Sequence, residues 1–321
     1  MNHRSLKRIA VMLAALAASA LVAPAQQAEL ITLKVQGNVY LITGAGGNVI
    51  VQAGDQGVLV VDTGLAENAD RVLAAIRKIS DKPLQYILNT GFHSDHTGGN
   101  DAIRKAGVTI TGANVTANIK DAAVGAQIFA QDNVLQRMSA PTGQQSPAPF
   151  GSWPTLTYLS GRKQFQFNGE AVEMIHQPAA HTDGDSLVVF RKSDVIVAGE
   201  IFLTTTYPFI DIANGGSIQG EIDALNNILD MAVTGHQDEA GTYIIPGHGR
   251  ICDKPELLEF RDMVTIVRDR VQASIKKGMT LEQIKTAGLT KDYDLRYSAK
   301  SGFGTKDQFV EAIYKSLTEK K

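Results

Sequence analysis

Short apolar, β-branched runs occupy residues 31–35, 39–43, 48–52 and 58–61, the first of them with apolar and polar positions alternating at a period of two. Glycine-rich turns separate these runs, so the chain opens as a series of antiparallel hairpins. Gly44-Ala45-Gly46-Gly47-Asn48 joins two strands and opens no helix, which makes it a hairpin turn rather than a phosphate loop. From residue 67 the period lengthens. Val72, Leu73, Ile76 and Ile79 mark one face of a helix over 67–79, and an apolar strand follows at 84–88. The pattern then predicts a helix over 102–106, a strand over 108–111 and a helix over 115–124. Pro141, Pro147, Pro149 and Pro154 mark a long ordered loop or flap. Strands resume at 164–167, 172–176, 187–190 and 195–198, with a helix over 218–231 and a strand over 242–245. Amphipathic helices at 256–277 and 306–319 close the chain. Thr280-Leu281-Glu282-Gln283 carries a capping box that starts a further helix between them.

At 321 residues, 44% hydrophobic and 20% charged, the chain can bury a full core. Residues 1–25 have the layout of a secretory signal: Arg4, Lys7 and Arg8, an apolar stretch over 9–22, then Ala23-Pro24-Ala25. That stretch is shorter than the roughly 20 residues a membrane-spanning helix needs. The expectation is therefore an exported protein, periplasmic or secreted, with no span in the mature chain. Removing those three basic residues from the 31 leaves 28 against 33 acidic ones, a balance that does not invite nucleic acid. Cys252 is the single cysteine, so no internal disulfide can staple the fold. It lies four residues after His248, but without a second sulfur nearby it reads as a small buried apolar residue.

The densest chemistry lies just after the strand at 84–88. His93, Asp95 and His96 put two imidazoles and a carboxylate within four residues, the donors a borderline cation such as zinc prefers. Gly91, Gly98 and Gly99 permit a sharp turn around them. His181 and His248 sit in further loops beside strand-like sequence, so five possible ligands come from three segments. His176 and His236 lack such company and read as ordinary surface or core residues.

These segments, in this order, resemble the metallo-β-lactamase superfamily. The resemblance spans roughly residues 33–250 and rests on Val60-Val61-Asp62-Thr63-Gly64, the His93–Gly99 loop, His181 with Gly184-Asp185, Gly199-Glu200, and Pro246-Gly247-His248-Gly249. It implies an α/β fold: an αββα sandwich of two facing mixed sheets over 26–255, with a C-terminal helical extension, 256–321, packed on the same domain. It implies that His93 and His181 serve one metal and Asp95, His96 and His248 another, with Glu200 in the place of a bridging aspartate. Asp62 would support the ligand loop through hydrogen bonds. The family's loop carries a further histidine two residues before His93, where this chain has Gly91. The resemblance thus implies one tight and one weaker Zn2+, with Glu200 the candidate to compensate; iron and manganese suit the same donors.

The implied chemistry is hydrolysis of an ester-like or lactam carbonyl by hydroxide generated at the metal, with Asp95 orienting the nucleophile and taking up its proton. A small-molecule substrate is expected, a lactam, thioester, lactone or phosphoester. No lysine closely follows Glu200 to hold a drug carboxylate; only Thr204, Thr205 and Thr206 offer donors there. Tyr207 and Phe209 are candidate substrate contacts from their position after the Glu200 strand. Two other readings stay open: a metal-binding accessory or carrier protein without turnover, and an iron-dependent redox member of the same fold. The leader reading has a direct test. Intact-mass analysis of exported protein should show cleavage between Ala25 and Gln26, and a mature chain retaining residues 1–25 would remove the case for export.

Overall fold

The computed structural model describes residues 29–108, 125–140, 148–159, 161–236 and 240–319. The leader, the helix expected at 115–124 and most of the strand expected at 108–111 lie outside them. The first sheet holds β1 (Ile31–Gln36), β2 (Val39–Ala45), β3 (Gly47–Gly54), β4 (Gly57–Val61), β5 (Leu84–Leu88), β6 (Gln127–Gln131) and β7 (Leu156–Tyr158), side by side in that order. The hairpins from β1 to β4 pair antiparallel, and β4 to β7 pair in parallel. The second sheet holds β8 (Arg162–Phe167), β9 (Glu170–His176), β10 (Ser186–Phe190), β11 (Val195–Leu203) and β12 (Tyr243–His248), in the reverse spatial order. Only its β11 and β12 run parallel.

Side-chain parity explains the layering. Along β4, Leu59 and Val61 turn to one core while Val58 and Val60 turn to another, and along β10 Val188 and Phe190 part from Leu187 and Val189 in the same way. Strands covered on both faces read as unbroken hydrophobic runs, as β4 and β10 do. The middle core lies between the sheets and takes in Leu41, Leu59, Met174, Phe190 and Ile245. Outside the first sheet pack α1 (Ala69–Ile79) and, after the four-residue α2 (Ser94–Thr97), α3 (Asn100–Lys105), through Val72, Ile76 and Ile103. The helix α4 (Asp132–Ser139) caps the β6 end.

Outside the second sheet pack α5 (Ile218–Met231), α6 (Lys254–Lys276), α7 (Leu281–Thr286), α8 (Asp294–Tyr297) and α9 (Lys306–Thr318). Their Leu225, Phe260, Ile284, Tyr297 and Phe309 share one core with Leu187, Ile196 and Ile244 of the sheet. The result is an αββα sandwich whose outer layer includes the C-terminal helices. The strands β6 and β7 and the helix α4 are absent from the sequence reading, because runs of three to eight residues carry too little periodicity to be told from loop.

Tyr207 corrects an expectation. It is fully buried rather than open to substrate. Its hydroxyl lies 3.1 Å from the Thr290 carbonyl and 3.0 Å from Asp294 Oδ1, and its ring stacks on Phe309 at 5.1 Å. The residue therefore pins the C-terminal helices to the sandwich. Truncating its partner, Phe309→Ala, should cost about 3–5 kcal/mol of stability in urea unfolding. A loss below about 1 kcal/mol would show that α9 is peripheral to the fold.

Candidate metal centre

The parallel pairing of β4 and β5 places Asp62, just past β4, beside Thr90, just past β5. Asp62 has φ of 58°, a left-handed backbone that a non-glycine residue adopts only when its surroundings hold it there. Its carboxylate accepts the Thr90 N–H at 2.8 Å, the Thr90 hydroxyl at 2.6 Å and the His96 Nδ1–H at 2.7 Å. Holding Nδ1 in this way fixes the imidazole and turns Nε2 toward the opposite sheet. The loop itself turns through α2, with His93 as its N-cap. Gly91, Gly98 and Gly99 all lack left-handed φ, so the turn does not draw on glycine's freedom there. Gly98 is needed for closeness instead: a Cβ would stand 2.5 Å from Ser94 O and 2.6 Å from the Ala66 nitrogen.

The second sheet supplies the other donors. The β11/β12 register shifts at Gly199, whose φ is 55°, and this bulge re-aims the following side chain. Glu200 Oε1 consequently lies 2.9 Å from His96 Nε2 and 3.1 Å from His248 Nε2. His248 Nε2 is also 2.8 Å from Asp95 Oδ2. From the first sheet, Asn48 Nδ2 donates to the Pro246 and Gly249 carbonyls, so the end of β12 is tied across the sandwich. Asp95, His96, Glu200 and His248 each offer a ligand atom within 4.8 Å of the others. Two imidazole nitrogens and two carboxylates suit zinc, iron or manganese.

His93 and His181 form a neighbouring group. Their rings meet edge-on with centroids 4.6 Å apart. His181 is buried; its Nδ1 lies 3.4 Å from Asp185 Oδ1, and its Nε2 has no hydrogen-bond partner among the described residues. Asp185 is in turn held by the Thr182 N–H and hydroxyl. His93 Nε2 faces Asp211 Oδ2 at 3.3 Å. Asp211 is missing from the sequence reading, which had Glu200 as compensator for Gly91; Glu200 lies between His96 and His248. No local signal marks Asp211, since Asp211 to Gly215 reads only as a turn. Cys252 is buried outside both groups, and burial pushes its thiol up to about 12.

Charge shapes the site. Burial would push the His96 and His248 imidazoles down, but Asp62 and Glu200 around the first, and Asp95 and Glu200 around the second, override it. His96 is held well above the ordinary histidine value and His248 is raised to about 9. Burial likewise acts to raise Glu200, yet hydrogen bonds from His248 and His96 hold it well below the carboxylate range. Glu221 on α5 is the reverse case. Fully buried, with both oxygens unpartnered among the described residues, and repelled by Asp185 and Glu200, it is pushed well up, toward the neutral acid.

Asp95, Glu200, His248, His93 and Asp211 line one cavity of about 800 Å³. Its apolar wall comes from Leu65, Phe92, Met138, Leu203, Phe209 and Phe303, and Arg137 of α4 is its cation. Phe209 thus stands where a substrate contact was expected. Phe92, Arg137 and Phe303 went unrecognised, Phe303 because it lies beyond residue 300 in a turn with no patterned neighbours.

A sequence model of the metallo-beta-lactamase superfamily matches residues 33–248. The chain belongs to the metallo-beta-lactamase superfamily. Relatives within it differ in chemistry. The chain is 23% identical over 267 residues to a linear primary-alkylsulfatase from a Pseudomonas species, a match covering 71% of this chain and 47% of that one. Its fold is similar to that of Pisa1, a stereoselective inverting sec-alkylsulfatase from Pseudomonas sp. (TM-score 0.65, 16% identity, 90% of this chain and 50% of the other). It is also similar to DIM-1 metallo-beta-lactamase (TM-score 0.54, 20% identity, 74% of this chain and 97% of the other). The chain thus spans about half the length of the alkylsulfatases it matches.

The raised His248 value has a measurable consequence. A histidine shifted from its ordinary 6.5 to about 9 by its folded partners adds stability that is complete below 6.5 and lost as pH rises through 9. In chelator-treated protein, wild type should therefore exceed His248→Ala in melting temperature most at pH 6, with the gap closing by about pH 9.5. A gap constant from pH 6 to 10 would mean that His248 carries no extra proton in the folded protein.

Proposed function

We propose that this superfamily member is an exported metal-dependent hydrolase, with Asp95, His96, Glu200 and His248 holding its principal ion, zinc by default. The observation that carries the reading is the convergence of these four donors, from both sheets, at the wall of a substrate-sized cavity. A zinc ion there would supply Lewis acidity and lower the pKa of a coordinated water to near 7. Asp62 keeps His96 in the tautomer and orientation that present Nε2. Asp95 is the partly exposed carboxylate of the group, so its Oδ2 is placed to orient water and accept its proton. Arg137, braced by Asp183 at 2.6 Å, offers a fixed positive charge to an anionic part of a substrate. Leu65, Leu203, Phe209 and Phe303 exclude water from its apolar part.

The bond attacked is taken to be an ester-like or lactam carbonyl. The apolar wall beside one cation, together with the relatives named as alkylsulfatases, favours a second reading: a sulfate ester on an alkyl chain. Chromogenic lactam, lactone and thioester substrates run beside a medium-chain alkyl sulfate separate the two. Asp95→Ala and His248→Ala should each lower turnover of the best substrate at least about tenfold, well inside the roughly 100- to 10,000-fold a general base contributes, and reduce bound metal while the fold persists. Turnover that survives chelation and both substitutions would overturn the metal-dependent reading, whereas bound metal with no turnover of any of these substrates would overturn it in favour of a metal-binding protein without hydrolysis.

A further inference from the structure

We infer that Phe303 is a specificity-determining residue: with Phe209 it forms an aromatic strip on which an unbranched alkyl or acyl chain of the substrate lies, and its ring sets how strongly chain length is felt. This role rests on the metal-hydrolase reading proposed above and names the apolar part of the molecule the cavity would take. The rings of His93, Phe209 and Phe303 follow one another, with centroids 6.2 Å apart between the first two and 5.0 Å apart between the last two. All three line the cavity that Asp95, Glu200 and His248 also line, and His93 stands two residues before Asp95, so the strip starts beside the four-donor group. It ends in solvent. Phe209 is half-buried, whereas Phe303 is 73% exposed. A ring left in water at the open end of an apolar wall gains from any apolar group laid on it. Rings in single file offer length rather than breadth: a chain can touch Phe209 and Phe303 in turn, while a compact ring system meets one of them.

Phe303 is also held in place. The turn between α8 and α9 is fastened at both ends to the segment that follows β11. At one end Tyr207 donates its backbone N–H to the Tyr297 carbonyl at 2.7 Å. At the other, Gly304 lies so close to Thr206 that a Cβ there would stand 2.5 Å from the Thr206 Cβ. Gly302 and Gly304, on either side of the ring, have left-handed φ of 81° and 77°, and the Ala299 N–H closes the turn on the Gly304 carbonyl at 3.2 Å. The exposed ring is therefore carried by a built turn that is seated on the same segment as Phe209.

Calorimetric titration of zinc-loaded protein with the straight-chain primary alcohols butanol, hexanol, octanol and decanol, and with cyclooctanol as a compact counterpart, tests the role without requiring turnover. In wild type, affinity should rise about 3- to 4-fold for each added methylene, the scale of burying one, and octanol should bind more tightly than cyclooctanol. Phe303→Ala should bind butanol as wild type does and decanol about 10-fold more weakly, the size of loss expected when a contacting aromatic is truncated. Phe303→Leu keeps an apolar contact and should recover most of that loss. Leu295→Ala, which removes a fully exposed apolar side chain on α8 outside the described lining of the cavity, should match wild type throughout. Phe303→Ala should also melt like wild type, because the ring it removes is largely in solvent. The same chain-length dependence in wild type and Phe303→Ala, no dependence in wild type, or cyclooctanol bound as tightly as octanol would overturn the inference and leave the hydrolase reading standing. A series that depends on Phe303 in a protein that hydrolyses none of the substrates named above would instead overturn the hydrolase reading and leave a chain-binding site.

Discussion

One buried carboxylate bears the placement of everything at the metal centre. Asp62 sits in a left-handed backbone, a conformation costing on the order of 1–3 kcal/mol, and accepts three hydrogen bonds from Thr90 and His96. Those bonds come from the segment just past β5, so the carboxylate ties the ends of two parallel strands into one unit. The consequence reaches across the sandwich. His96 Nε2 meets Glu200 only because Nδ1 is spoken for, and Glu200 meets His248 only because the bulge at Gly199 turns it inward.

The architecture was legible where burial dictated pattern. β4 and β10 are covered on both faces and so stand out as unbroken apolar runs, and the helices α5, α6 and α9 show one apolar face over three turns or more. β6, β7 and α4 were not legible, because their short runs gain structure only from neighbours that pair with them after folding. The site divides in the same way. His93, Asp95 and His96 announce themselves by density, a local property. Asp211 acts on His93 through the fold, and nothing local in its sequence distinguishes it from a turn-former. Tyr207 was misjudged because nearness in sequence to Glu200 was taken for nearness to its cavity; the chain turns between them, and the ring enters the helical layer.

Electrostatics explains why this cluster favours a cation. Asp95, Asp62 and Glu200 surround two imidazoles, and their charges and hydrogen bonds hold His96 and His248 above the ordinary histidine value. Metal and protons therefore compete for the same nitrogens. Behind them, burial without a hydrogen-bond donor among the described residues, beside Asp185 and Glu200, pushes Glu221 well up, toward the neutral acid.

Phe303 lies on the turn between α8 and α9, packs against Phe209 at 5.0 Å and closes one side of the cavity. It falls well beyond the superfamily segment that carries all the metal-capable donors. One part of the cavity wall is thus written outside the stretch that carries the four-donor group. An exchange in that surface turn would reshape one side of the cavity while leaving Asp95, His96, Glu200 and His248, which belong to other elements, where they are.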